Sequence, residues 1–203
     1  MCASSLIKTY YRKPTVDRIL QGDILRDINF KFEWIMPDQI LTQTEEKYKA
    51  VEEYEFPYSI VLSQDCDLEQ DFQDRRDEGL SGHDSYIPSI IICPAFRALE
   101  LKEGSHLDDF GYKMQHKNKH DFNFIRQNRE PRYHYLPKDP EYDMPHLILD
   151  FKQIYALPRA YLYKIYKHYY LASINELIRE HLCQRFSFYF SRIGEPEIEH
   201  ERL

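Results

Sequence analysis

The segment "YSIVLSQDCDLEQD", from Tyr58 to Asp71, decides the fold that this sequence predicts. It follows Pro57 and opens with a short apolar run of the kind that forms a central β-strand, buried on both faces. A second run of this kind, "YIPSIIICPAF", has Ile90 to Cys93 at its centre. Two apolar runs bounded by polar segments predict a core built from β-strands.

The segments on either side extend this prediction. In "INFKFEW", apolar and polar residues alternate from Ile28 to Trp34, which is typical of a strand buried on one face. The segment "HLILDFKQIYAL" predicts another strand. The last long element, "ASINELIREHLCQRFSFYFSRIGEP", predicts an amphipathic helix, with Ser173 and Glu176 in capping-box positions and Gly194 as its stop. The predicted fold class is therefore mainly β with α.

Length and composition predict one domain with a hydrophobic core, since the chain has 203 residues and 42% of them are hydrophobic. Between the second apolar run and the final helix, the local net charge changes from negative to positive, and this change indicates an insertion. The predicted organisation is 22–96 and 147–172 for the main strands, 97–138 for a partly helical insertion, 173–193 for the C-terminal helix and 195–203 for a tail.

Charge and cysteine content exclude several classes. The formal net charge is −7, so attraction of nucleic acid or an anionic membrane to the whole molecule is not expected, and binding of RNA needs a local basic patch. With no long apolar run and no secretory signal pattern, the sequence predicts a cytoplasmic protein without membrane association. The four cysteines are scattered and lack metal-ligand spacing, so we expect reduced thiols, no structural metal and no cofactor.

A thiol between two acids follows the first apolar run, where Cys66 stands between Asp65 and Asp67. Neighbouring carboxylates raise the pKa of a thiol, so local sequence makes Cys66 a poor nucleophile. Hard cations bind carboxylates, but two ligands do not complete a site. Three interpretations stay open: a polar turn at the strand end, a cluster of acids with arginines, and metal or nucleophile chemistry.

Two arginines of the predicted C-terminal helix favour the second interpretation. At 3.6 residues per turn, Arg185 and Arg192 fall within the apolar stripe. A guanidinium that faces a core needs a partner, because an isolated buried charge is costly. The alternative is that Arg185 extends to solvent and Arg192 is favoured by the helix dipole. The predicted ion-pair node consists of Asp65, Cys66, Asp67, Arg185 and Arg192.

The segment from Lys113 to Lys138 is basic, with seven Lys or Arg against two acids, and Phe and Tyr are interleaved with its charges. This pattern suits phosphate contacts combined with base stacking. The alternative is an insertion that buries its aromatic residues against the domain and leaves its charges in water. The candidate RNA-binding residues are Arg97, Lys117, Lys119, His120, Arg126, Arg129, Arg132 and His134.

Five motifs follow one another along the chain in a characteristic order. They are "GDI" at Gly22–Ile24, "IVLS" at Ile60–Ser63, "IIICP" at Ile90–Pro94, "LDFKQIYALPRA" at Leu149–Ala160 and the final amphipathic helix. This order resembles the PemK/MazF family. The resemblance implies a small SH3-like β-barrel with the strands in 22–96 and 147–172, a C-terminal helix packed on the barrel, and often a dimer, as in bacterial endoribonuclease toxins.

Two departures from the family pattern bear on activity. Active members usually carry Arg-Pro just before the first strand motif, and Thr or Ser after the Pro of the later one. Here those places read "PYS" from Pro57 and "AFR" from Ala95. No catalytic residue therefore transfers by resemblance, and Arg97 offers a replacement for the lost positive charge.

Three functions remain open from the sequence, and whether the protein is an enzyme is one of the open points. The first is a non-enzymatic interaction or regulatory subunit, a homodimer or bound to a protein partner, in a bacterial toxin–antitoxin-like or phage-defence system. The second is an RNA-binding protein or endoribonuclease that uses the basic and aromatic insertion. The third is a metal-dependent hydrolase at Asp65, Cys66 and Asp67.

Overall fold

The computed structural model describes residues 9–15, 17–35, 49–77, 79 and 83–191. Within these residues lie eight strands and five α-helices. The strands are β1 (Tyr11–Arg12), β2 (Asp23–Ile35), β3 (Lys49–Val61), β4 (Ser89–Arg97), β5 (Tyr133–Leu136), β6 (Leu147–Asp150), β7 (Tyr155–Pro158) and β8 (Tyr170–Ile174). The helices are α1 (Asp65–Asp74), α2 (Ala98–Glu103), α3 (Lys119–Arg126), α4 (Arg159–Tyr169) and α5 (Glu176–Phe190).

One antiparallel sheet contains all eight strands. Its order is β1-β8-β2-β3-β4-β6-β5, and β7 also pairs with β4. The segment predicted as a single strand after His146 is in fact β6 and β7, which both pair with β4 and are separated by residues 151–154. The mainly β prediction with added helices is confirmed in this broad form.

The sheet is curled but not closed. No strand pairing joins β1 to β5 in the part of the chain that the structure describes, so the SH3-like barrel is not confirmed. The two edges nevertheless approach each other, because the Tyr11 hydroxyl on β1 donates a hydrogen bond of 2.6 Å to the carbonyl of Pro137, just after β5. Helix α5 packs beside this opening through Leu182, which is fully buried.

Both faces of the sheet are covered, as the first apolar run predicts. Ile60 and Leu62 pack in the core that contains Leu182 of α5. Val61, which lies between them, packs in a second core with Leu68 of α1 and Leu162 of α4. Successive residues of a strand point to opposite faces, so a central strand between two helical layers has to be apolar at every position.

Two helices were not predicted. The acidic composition of the segment from Gln64 to Asp84 predicts a surface loop. In the structure the segment begins with α1, whose buried residues are Leu68 and Asp71. The tyrosine-rich segment after Pro158 predicts a turn followed by mixed structure from its sequence. In the structure it forms α4, where only Leu162 is buried. Each helix buries so few residues that its apolar periodicity is weak, and its stability comes from tertiary packing.

The predicted capping box of the C-terminal helix is wrong. Helix α5 begins at Glu176, and Asn175 occupies the N-cap position. Ser173 lies in β8 instead, where its hydroxyl donates to the buried carboxylate of Asp23. Residues 192–203, including Arg192 and the predicted tail, lie outside the described residues.

Candidate functional site

The carboxylate of Asp65 is bound by two arginines that the sequence did not assign to it. Nη1 and Nη2 of Arg18 lie 3.0 and 3.2 Å from its two oxygens, and Nη1 of Arg179 lies 3.5 Å from Oδ2. The backbone N–H of Gln21 donates to the same carboxylate at 3.1 Å. Burial raises the pKa of Asp65, but the hydrogen bonds from Arg18 and Gln21 and the two positive charges outweigh it and lower the pKa.

This arrangement corrects the predicted ion-pair node. Asp65 joins α1 to the segment before β2 and to α5, so the idea of an acid bound to the terminal helix holds with Arg179 as the partner. Arg185 forms no ion pair with a carboxylate of the described residues. Its guanidinium donates to three backbone carbonyls, those of Asn128, Glu130 and Tyr133. These carbonyl oxygens accept from Nη1 and Nη2, while the buried Nε has no hydrogen-bond partner among the described residues. The contacts join α5 to the turn before β5.

The other two members of the predicted node are exposed. The thiol of Cys66 lies 3.7 Å from Oε1 of Gln64 and 3.7 Å from Oδ1 of Asp67. Among the residues that the structure describes, no group of three His, Cys, Asp or Glu side chains is placed to hold a metal ion. With Asp65 bound to arginines, this cluster is better explained as a structural contact than as a metal site.

The predicted RNA-binding residues do not form one surface. His134 is 1% exposed, within the sheet. Arg132 binds the fully buried Asp150 through Nε at 2.7 Å and through Nη2, so its guanidinium already has a carboxylate partner. His134 is closed to a ligand. Arg132 lines a cavity of about 440 Å³, but its guanidinium is already bound to Asp150, so both are removed from the predicted set.

Four others lie around α3. Lys117 and His120 line a cavity of about 440 Å³, which also touches Phe124. The guanidinium of Arg129 lies 5.9 Å from the centre of the Phe124 ring. Lys119 is the first residue of α3 and is exposed. These residues form a small separate surface, in agreement with an insertion that keeps its charges in water.

The remaining two, Arg97 and Arg126, line a larger cleft. Two cavities of about 740 and 460 Å³ share Arg97, Pro145 and His146 and so adjoin each other. We call their combined lining the basic cleft. Its cations are Arg26, Arg97, Arg126 and Lys138, and its carboxylates are Asp27, Glu100 and Asp143. Its aromatic and large apolar residues are Tyr58, Leu99, Phe122, Tyr135 and Met144.

A backbone irregularity in β2 lies at the floor of this cleft. Asp27 has a φ of +58°, between the registered pairs Arg26↔Tyr58 and Ile28↔Phe56. Asp is one of the residues that tolerate this left-handed conformation. Ile24 packs in the core on the α5 side and Ile28 in the opposite core, so the alternation of side chains shifts at this point. The shift leaves Arg26 and Asp27 lining the cleft.

The four cations differ in their present partners. Arg26 lies 3.3 Å from the exposed carboxylate of Asp143 and 3.7 Å from that of Asp27, and Arg97 lies 3.6 Å from Glu100. Such exposed pairs are worth about 0–1 kcal/mol and are easily exchanged for another anion. Arg126 and Lys138 are exposed and form no ion pair within the described residues. The cleft therefore has positive charge available for an anionic ligand.

His146 is fixed as a neutral hydrogen-bond donor. The backbone N–H of Lys138 donates to its Nδ1 at 3.1 Å, so Nδ1 carries no proton, and the Tyr135 hydroxyl, 2.6 Å away, donates to the same atom. The proton of the ring must then be on Nε2. Partial burial and the charges of Arg126 and Lys138 lower the pKa of His146, which keeps the ring neutral.

Comparison with known proteins found no match to this chain among family models, among curated proteins or among solved structures. In the part of the chain that the structure describes, no helix has the length and apolar character needed to cross a bilayer.

Proposed function

We propose that this protein is a non-enzymatic binding module whose basic cleft holds single-stranded RNA. The observation that carries the proposal is a cleft in which four cations outnumber three carboxylates and lie beside aromatic side chains, on a chain whose formal net charge is −7. A local positive surface on an acidic protein attracts a polyanion to that surface alone. Phosphates contact Lys and Arg side chains, and unpaired bases stack on aromatic rings.

The aromatic part of the cleft favours a single strand. The guanidinium of Arg126 lies 5.7 Å from the centre of the Tyr135 ring, and Phe122 lines the same cavity. Leu99, beside them, is 67% exposed. Flat apolar surface next to guanidinium groups suits unstacked bases, whereas a duplex presents mainly its phosphates to a protein.

The state of His146 supports binding without cleavage. Metal-free RNA cleavage needs a base that takes the proton from the 2′-hydroxyl. Nδ1 of His146 already accepts two hydrogen bonds, and Nε2 carries the proton, so the ring has no free lone pair for this step. What Nε2 offers is one N–H donor to a phosphate or a base.

We also propose that the chain is related to the PemK/MazF family and that its curled sheet derives from the SH3-like barrel of that family. Two observations favour it: the hydroxyl of Tyr11 joins the edge strands, and α5 packs on the sheet as the terminal helix of that family does. The resemblance further proposes a homodimer or protein partner within a bacterial toxin–antitoxin-like or phage-defence system. Copurification from the native host and inspection of the neighbouring genes test that part.

A double substitution of Arg126→Gln with Lys138→Gln is expected to weaken RNA binding at least tenfold, because both side chains are exposed, unpaired and inside the cleft. Fluorescence anisotropy with a labelled single-stranded oligonucleotide, repeated over a range of salt concentrations, measures the effect. Losing two phosphate contacts should also reduce the slope of log K against log salt by about 1.4, since each contact contributes about 0.7 for a single strand.

The matched control is Lys164→Gln with Lys167→Gln, two exposed lysines of α4 that remove the same charge outside the cleft. We expect less than a twofold change from this pair. Equal weakening by both pairs would assign the binding to net charge and not to the cleft, and absence of RNA binding by the wild type would end the proposal.

A further inference from the structure

One carboxylate of the basic cleft lies among its aromatic side chains. Glu100 lines the cavity of about 460 Å³ together with Phe122 and Tyr135, and its side chain is 40% exposed. A carboxylate repels phosphate, so Glu100 contributes nothing to the attraction of a polyanion. What its two oxygens offer a ligand is the acceptance of hydrogen bonds.

Strand pairing brings hydrogen-bond donors to the same cavity. Arg97, the last residue of β4, pairs with Leu147 of β6, and the backbone N–H of Ala98 donates to the carbonyl of His146 at 2.9 Å. These contacts hold the first turn of α2, which contains Glu100, next to His146. Nε2 of His146 makes no hydrogen bond within the described residues and is open to solvent, so its N–H can bind a ligand.

Apolar surface for the face of a base lies beside these polar groups. Leu99 of α2 is 67% exposed, and Phe122 of α3 lines the same cavity. The ring of His146 lies 5.6 Å from that of Tyr135 at an angle of 24°, and the Tyr135 hydroxyl bonds to Nδ1, so the imidazole is held in one orientation. A base that stacks on this surface presents its edge to Glu100 and His146.

The pattern of donors and acceptors decides which base fits. A carboxylate has two acceptor oxygens and no donor, so it is matched best by an edge with two adjacent N–H groups. Guanine has such an edge, formed by N1–H and the 2-amino group, and it carries the acceptors O6 and N7 as well. Adenine and cytosine have an acceptor nitrogen next to their amino group, and uracil has its one N–H between two carbonyls. A carboxylate repels each of these acceptors.

We propose that this part of the basic cleft recognises an unpaired guanine in single-stranded RNA. Glu100 accepts from N1–H and from the 2-amino group, Nε2 of His146 donates to O6, and the purine lies on Leu99 and Phe122. Arg97 exchanges its exposed pair with Glu100 for a neighbouring phosphate. The inference rests on the proposed function, since it names the base that the RNA-binding cleft prefers.

Fluorescence anisotropy tests this preference with labelled uridine oligonucleotides that differ only at one central position. Wild type should bind the oligonucleotide with guanosine about tenfold more tightly than those with adenosine, cytidine or uridine. Inosine, which lacks only the 2-amino group, should lose most of this advantage. Equal affinity for all the oligonucleotides would overturn the guanine proposal and leave RNA binding intact, whereas no binding of any of them would overturn both.

A substitution at Glu100 separates recognition of the base from a structural role. Glu100→Gln should weaken binding of the guanosine oligonucleotide about tenfold but leave the all-uridine oligonucleotide bound as tightly or slightly more so, because a charge that repels phosphate is lost. Glu103→Gln removes the same charge at an exposed position of α2 outside the cleft and should keep the preference. A preference that persists in Glu100→Gln, or equal losses for both oligonucleotides, would overturn the proposal.

Discussion

Replacing Asp71 with Asn is expected to lower the free energy of unfolding by about 2–4 kcal/mol. Asp71 is fully buried in α1. Its Oδ1 accepts from Nε of Arg75 at 2.7 Å and from the backbone N–H of Ile87 at 3.0 Å, and its Oδ2 accepts from Nε of Arg159 at 2.6 Å. One carboxylate thus joins α1, α4 and the segment before β4.

The physical reason is that Asn removes the charge and leaves two guanidinium groups without their carboxylate. The side chains of Arg75 and Arg159 are 32% and 17% exposed, so water recovers part of the loss and the effect stays below that of a fully buried pair. Chemical denaturation with urea measures it. Asp67→Asn, an exposed acid of the same helix, is the control and should change stability by less than about 0.5 kcal/mol. If both variants lose the same amount, the buried contact has no special role.

The second large effect concerns pH. Burial, together with the charges of Arg185 and His181, lowers the pKa of His134 to about 3. The unfolded chain binds a proton at this residue below about 6.5, while the folded chain does not. The stabilising contribution of neutral His134 is therefore complete above pH 6.5 and is lost as the pH falls from there towards 3.

His134→Phe should remove this dependence. Relative to wild type, the variant should gain about 2 kcal/mol of stability between pH 7 and pH 5, since 1.5 pH units below the unfolded pKa correspond to about 1.4 kcal/mol each. Urea denaturation curves for both proteins at the two pH values provide the comparison. Parallel pH profiles would show that His134 takes up a proton in the folded protein and would contradict its buried, neutral state.

The buried acid Asp23 changes the stability in the opposite direction with pH. This change is the same in wild type and His134→Phe, so it cancels when the two are compared. Burial raises the pKa of Asp23 to about 6, although hydrogen bonds from Ser173, the backbone of Leu20 and Tyr166 act to lower it. Because its folded pKa lies above the unfolded value, its stabilising contribution is complete below about 3.8 and is lost as the pH rises through 6. This contribution is common to wild type and His134→Phe, so it does not affect their difference.

The central strands could be predicted from the sequence. The helices that cover them could be predicted only in part. An apolar run such as Ile60–Leu62 has to be covered on both faces, and no other placement satisfies all its side chains at once. Helices α1 and α4 cover one of these faces mainly with Leu68 and Leu162, which leaves no apolar stripe in their charged and tyrosine-rich sequences. Their helical state follows from what they contact and not from local periodicity.

The basic cleft was predictable only in part. The interleaved charges pointed to Arg126, and the departure from the family pattern pointed to Arg97, but the basic segment also included Arg132 and His134, which the structure buries or pairs. Nothing in the sequence around Arg26 or His146 predicts that they belong to this cleft. The register of β2 with β3 and the turn before β6 bring them to Arg97 from distant parts of the chain. Lys138 lies at the end of the basic segment. The fold places it in the cleft, whereas the lysines around α3 lie outside it.

The most direct test of the central claim, that the basic cleft holds single-stranded RNA, is photo-crosslinking. Single-stranded RNA that contains 4-thiouridine is irradiated with the full-length protein, and the crosslinked peptides are identified by mass spectrometry. Crosslinks at Tyr135 and Phe122, reduced in the Arg126→Gln with Lys138→Gln variant, are the predicted result. Crosslinks confined to α5, or equally frequent in that variant, would contradict the account.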